Sequence, residues 1–311
     1  MKNISTSWEK VYDQTGFMFS FAKSLECALA VSPWNNVIGN VTASSGFAFR
    51  MWVSETLCPS ATSIWDFNQQ KRWIENSGLK CSYAGRYWGQ ENIEKEKQKE
   101  AIAIIKKSID SGSPAVVWNI GMPEWGLITG YDNKSQVFQT LSITGEGEMA
   151  FADLGKQEIP ILSVITFTDL TERSYKEVFQ GTVKFAISHL KGNEPNENTS
   201  GLAAYDLLLK HFDPSVQDEL TWNHEYFLGT YAPLKYYAWK FFEKMNQPEL
   251  AELYQSVYED WINAFNQINK EIDVMEKRTE ISKFLTAAYK TEQEAVEIME
   301  RVCDITSDGE F

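Results

Sequence analysis

The chain has 311 residues, 43% of them hydrophobic and 14% aromatic, and a formal net charge of −14. That composition can build packed cores and excludes a largely disordered chain. The acidic balance excludes nucleic acid and anionic membrane as natural partners, because binding a phosphate surface draws on clustered lysine and arginine.

The length predicts two domains of roughly 150 residues each. The four cysteines, Cys27, Cys58, Cys81 and Cys303, have no CxxC spacing, and the three histidines are not clustered. No metal site is therefore expected. No cofactor is expected either, since the GxG of Gly145-Glu-Gly147 lies in an acidic segment unsuited to phosphate. The N-terminal stretch lacks the apolar run of a signal peptide, and no segment approaches the roughly 20 apolar residues of a membrane span. A cytoplasmic protein with free thiols is the expectation. Nothing in the sequence fixes its oligomeric state.

In chain order, Phe17 to Val31 reads as a helix that is apolar on most faces and carries Cys27, stopped by Ser32-Pro33. A small buried hydrophobe is the plain reading of that cysteine. Arg50 follows Phe47-Ala-Phe49 and suits either a ligand carboxylate or a structural pair and ring stack. Cys58, before a proline in a loop, reads as more exposed than Cys27. Gln69 to Asn76 reads as a helix and Cys81-Ser-Tyr83 as a strand. Glu91 to Ser111 shows an isoleucine stripe at helical spacing, ended by Gly112.

Ala115 to Ile120 and Trp125 to Thr129 read as two buried strands with a return loop, and Val137-Phe138 begins a third after a hairpin. Gly145 to Glu148 reads as a turn, and Pro160 to Phe167 as a further strand. Beyond Asp169 the pattern is helical throughout: Tyr175–Leu190, Ser200–Phe212, Asp218–Leu228, Ala232–Met245, Pro248–Asn269, and a long last element from Ile272 to Cys303. Gly229 is one of the breakers between them. The fold class is thus α+β, with an antiparallel-sheet domain over 1–168 and an all-helical bundle over 169–311.

Leu25-Glu-Cys27, Gly46-Phe-Ala-Phe-Arg50, Leu57-Cys-Pro-Ser60 and, above all, Pro123-Glu-Trp-Gly-Leu-Ile-Thr-Gly-Tyr-Asp132 carry a resemblance. The chain resembles the family of the butirosin-biosynthesis acyltransferase, BtrH N-terminal type, which is itself similar to papain-like cysteine peptidases. Ser200 to Tyr205 resembles the helical bundle that follows in such proteins. The resemblance implies a papain-like domain with a central helix bearing a cysteine nucleophile, here Cys27. It also implies a histidine opening the second sheet strand, but that position is Glu124.

The departure matters chemically. A neighbouring imidazolium stabilises a thiolate, whereas a carboxylate raises the thiol pKa. His189, His211 and His224 all lie in the helical half. One reading is a cysteine-dependent acyl- or aminoacyl-transferase, or amide hydrolase, acting on a small or carrier-bound substrate. The other is a non-catalytic scaffold whose cleft, lined by Cys27, Glu124 and Trp125, binds a small amine or peptide. Trp125, Arg50 and Tyr131 are the candidate ligand-binding residues; a plainer role for Glu124 is to cap its own loop.

Overall fold

The computed structural model describes residues 2–63, 65–194 and 196–307. In chain order the first elements are β1 (Lys2–Asn3), α1 (Ser20–Val31), α2 (Val41–Ser44), β2 (Trp52–Val53) and α3 (Gln70–Glu75). Next come β3 (Leu79–Arg86), α4 (Glu94–Asp110), β4 (Ala115–Trp118), β5 (Trp125–Asp132), β6 (Val137–Ser142), β7 (Gly145–Ala150) and β8 (Leu162–Leu170). The remainder is α5 (Tyr175–Leu190), β9 (Thr199–Ser200), α6 (Ala203–His211), α7 (Trp222–Lys244), α8 (Pro248–Ile268) and α9 (Val274–Ser307). The protein is therefore mixed helix and antiparallel sheet with a helical C-terminal region. Among the described residues no helix is long and apolar enough to cross a membrane.

Two compact units are interleaved along the chain. The first comprises 1–12, 20–41 and 66–173; the second comprises 13–19, 42–65 and 174–311. The sequence places the division at 168/169, so the difference lies in the short segments 13–19 and 42–65 and in residues 169–173. The assignment of 42–65 has a long-range cause. Within the second unit β2 pairs with β9, and the Trp52 backbone exchanges two hydrogen bonds with the Tyr231 hydroxyl, at 2.8 and 2.6 Å. Pairing partners this far apart in sequence leave no periodic trace.

In the first unit the sheet runs β3-β8-β4-β5-β6-β7, all antiparallel, with β1 added on β5. β4 is buried along its whole length, as its β-branched run demands. Alternation sorts its side chains: Val117 joins Ile105, Ile109, Ile128 and Val164 in the core under α4. Trp125 and Trp118 face the other way, and Phe21 of α1 meets the Trp125 ring edge-on at 4.5 Å. The sheet is thus covered on both faces, by α4 and by α1.

Three elements differ from expectation. Gly145 to Glu148 is not a turn: it forms β7, paired in register with β6, and the turn is confined to Ile143-Thr144. The helix predicted from Phe17 begins only at Ser20. The Asp13 carboxylate accepts the backbone N–H groups of Thr15, Gly16 and Met18, which holds that stretch in a turn.

The third difference is α7, which runs unbroken through both Gly229 and Pro233. Proline at 233 cannot donate to the carbonyl four residues back. That carbonyl belongs to Gly229, and the Thr15 hydroxyl donates to it instead at 2.7 Å. Glycine is required there because a Cβ would sit 2.8 Å from Phe17 Cβ. Thr15→Val should therefore cost about 1 kcal/mol in urea unfolding, and an unchanged midpoint would dissociate this loop from the helix.

Candidate functional site

The site in the first unit is built where the start of α1 meets the start of β5. The β4–β5 connection closes tightly: the Glu124 carbonyl accepts the N–H groups of Asn119 at 2.9 Å and Ile120 at 3.1 Å. Asn119 and Gly121 take positive φ, 64° and 78°. At Gly121 the next loop passes so close that a Cβ would lie 3.1 Å from the Ser142 and Thr144 hydroxyls.

Ser20, the first residue of α1, donates its hydroxyl to the Glu124 carboxylate in a short hydrogen bond. The same hydroxyl accepts the Trp125 N–H at 3.2 Å. One serine thus ties helix to strand, and the carboxylate rests at the positive end of a 12-residue helix, where the dipole favours an anion. Glu124 is half-buried. Beside it Trp125 is fully buried, its ring edge-on to Phe21, Phe67 and Trp118. Two exposed apolar side chains belong to the adjoining loops, Met122 at 40% and Ile143 at 50% of full exposure.

Cys27 lies on the same face of α1 as Ser20 but two turns further on, roughly 10 Å along the axis. Its thiol is buried. It donates to the Ser7 carbonyl at 3.3 Å and lies 3.3 Å from the Thr6 hydroxyl. Burial pushes its pKa up, against the opposing pull of the Thr6 hydrogen bond and of Lys10 and Lys23. Ser20, not Cys27, is therefore the nucleophile-bearing type of residue that meets Glu124. A serine at the start of an apolar helix is an ordinary N-terminal signal, but a helix that starts at Phe17 places Ser20 inside its first turn and hides that role.

The other two candidates sit elsewhere. The Tyr131 hydroxyl donates to Asp110 at 2.8 Å, and that bond raises the phenol pKa. Six residues of strand separate it from Trp125, roughly 20 Å. Arg50 belongs to the second unit, where it is fully buried and pairs with Glu194 at 2.8 Å. It also donates to the Ser45 carbonyl and lies 5.0 Å from the centre of the Phe47 ring. Its charge is committed to structure, as the pair-and-stack alternative has it.

The three histidines are engaged within the second unit as well. His189 bonds Glu194 and the Met51 backbone, His211 the Glu55 carbonyl, and His224 the Thr221 end of α7. Among the described residues no three His, Cys, Asp or Glu side chains come together as a metal site. No family model matches the chain, and no curated protein matches it.

Proposed function

We propose that the protein is a papain-like scaffold that binds the amine end of a small molecule or peptide at Glu124 and forms no acyl-enzyme on Cys27. The observation that carries this reading is the split of the expected pair: the Glu124 carboxylate is engaged with Ser20, while the Cys27 thiol is buried under Thr6 and Ser7. A buried thiol of raised pKa is a poor nucleophile. A half-buried carboxylate, with exposed Met122 and Ile143 on the adjoining loops, suits an ammonium attached to an apolar body.

A second reading is favoured by one contact. Ser20 Oγ–H on Glu124 is the geometry of a nucleophile and its base: Ser20 would attack a carbonyl carbon as Glu124 takes the hydroxyl proton. The substrate's C–N, C–O or C–S bond would then break as Glu124 passes that proton to the leaving amine, alcohol or thiol. An amine or water would then attack the acyl carbon and give its proton to Glu124, and the Ser20 Oγ–acyl bond would break as that proton returns to Ser20. An alkoxide is far more basic than a carboxylate, which makes this the weaker reading.

Alkylation and probe labelling separate the readings. With iodoacetamide at neutral pH, exposed Cys58 should react first and Cys27 slowly, at a rate unchanged in Glu124→Gln. Hexylammonium should bind the wild type and lose about 10-fold in Glu124→Gln, the scale of one charge-assisted hydrogen bond. Selective labelling of Cys27 would restore a thiol mechanism. Labelling of Ser20 by a fluorophosphonate would decide for the second reading.

A further inference from the structure

We infer that the turn between α7 and α8 is a second, independent binding site, one for an aliphatic oligoamine. Here the second unit has a cleft of about 660 Å³, well within the range of small-molecule sites. Its lining includes Trp239, Glu243, Glu252 and Gln255, with Pro248 and Ala251 as its apolar members. Every charged group in that lining is negative.

The indole is held in place from behind. Tyr258 of α8 stacks on Trp239 with centroids 5.9 Å apart and planes 28° apart, and Tyr236 meets it edge-on at 5.9 Å. A rigid, half-exposed indole beside carboxylates is the arrangement that attracts organic cations. The chain itself displays the recognition. The Lys240 ammonium lies 3.4 Å from the centre of the Trp239 ring and 2.9 Å from a Glu243 carboxylate oxygen.

That lysine is an internal stand-in for the ligand. An incoming ammonium takes the ring and Glu243 in its place, and Lys240 swings into solvent. A second ammonium of the same ligand pairs with Glu252, and the methylenes between them cover Pro248 and Ala251. A single quaternary ammonium satisfies the ring but only one carboxylate. A neutral diol satisfies neither. The chemistry selects an oligoamine.

The experiment is calorimetric titration of the full chain with spermidine at low salt, using Glu124→Gln as the parent so that the loop site is weakened about 10-fold and stands apart from the tighter one. One saturable site is expected. Glu243→Gln and Glu252→Gln, both at exposed positions, should each weaken binding about 5-fold, and Lys240→Ala should strengthen it about 3-fold by removing the competitor. Octanediol should not bind. The inference is overturned if Lys240→Ala shows no saturable binding at millimolar spermidine. It is equally overturned if Glu148→Gln, an exposed change on β7, weakens binding as much as Glu243→Gln, because the attraction is then diffuse. Either result leaves the Glu124 reading untouched.

Discussion

Lys235→Met is expected to destabilise the helical unit by roughly 3–5 kcal/mol in denaturant unfolding. Lys235 of α7 and Glu292 of α9 are completely buried and paired at 2.7 and 2.9 Å. The Tyr205 hydroxyl of α6 donates to the same carboxylate at 2.7 Å, and the Trp261 indole of α8 donates to Tyr205 at 2.7 Å. Four helices thus converge on one ion pair. Removing the ammonium leaves a carboxylate in an apolar interior with only tyrosine hydroxyls, those of Tyr205 and Tyr254, to answer it. The double change Lys235→Met with Glu292→Leu should recover most of the loss, since neither charge is then stranded. If the double variant is as unstable as the single, packing volume rather than charge carries the effect.

Arg50→Met is expected to cost roughly 3 kcal/mol at neutral pH, again by stranding a carboxylate. Burial alone would raise the Glu194 pKa. The His189 hydrogen bond and the Arg50 guanidinium outweigh it and hold the group at about 2, below its ordinary 4.5. A depressed carboxylate pKa contributes stability that is fully present above pH 4.5 and lost as the pH falls towards 2. The gap between wild type and Arg50→Met should accordingly be widest above pH 4.5 and narrow below it. His189, whose burial lowers its pKa from 6.5, adds a loss of the same sign at higher pH: the unfolded chain takes up a proton first as the pH drops below 6.5. Arg50 also helps to lower the His189 pKa, so the wild type should lose more stability than Arg50→Met over that higher range, and the gap should begin to narrow there. A gap that stays constant down to pH 3 would show that Glu194 is not held by Arg50.

The strands were legible where side-chain chemistry and backbone demand coincide. Ala115-Val-Val-Trp118 can hardly be anything but a buried strand, and the isoleucine stripe of α4 could only face a core. Legibility failed where a partner far along the chain overrides a local signal. Gly229 and Pro233 both argue for a break in α7, yet Phe17 and Thr15, more than two hundred residues earlier, make them the fitting residues. Gly145 to Glu148 has the composition of a turn, but β6 supplies the pairing that extends it. At the site, Glu124 could be singled out because the resemblance implies a histidine at its position, while its partner could not. A helix that starts at Ser20 rather than Phe17 changes which hydroxyl or thiol it meets. The Lys235–Glu292 pair lies beyond any local reading, since two charges in helical segments read as solvated faces until the fold buries them.

The interleaving of the two units bears on how such a chain can be inherited. The helical unit draws β2, Met51 and Trp52 from residues 42–65, and Thr15 and Phe17 from residues 13–19. A gene fragment beginning at Ser174 would encode α7 with the Gly229 carbonyl unanswered and Tyr231 without its backbone partner. Cutting the reading frame anywhere moves neither unit whole. Recombination can therefore pass this protein on entire or lose it, and it cannot lend either half to another protein as a ready-made module.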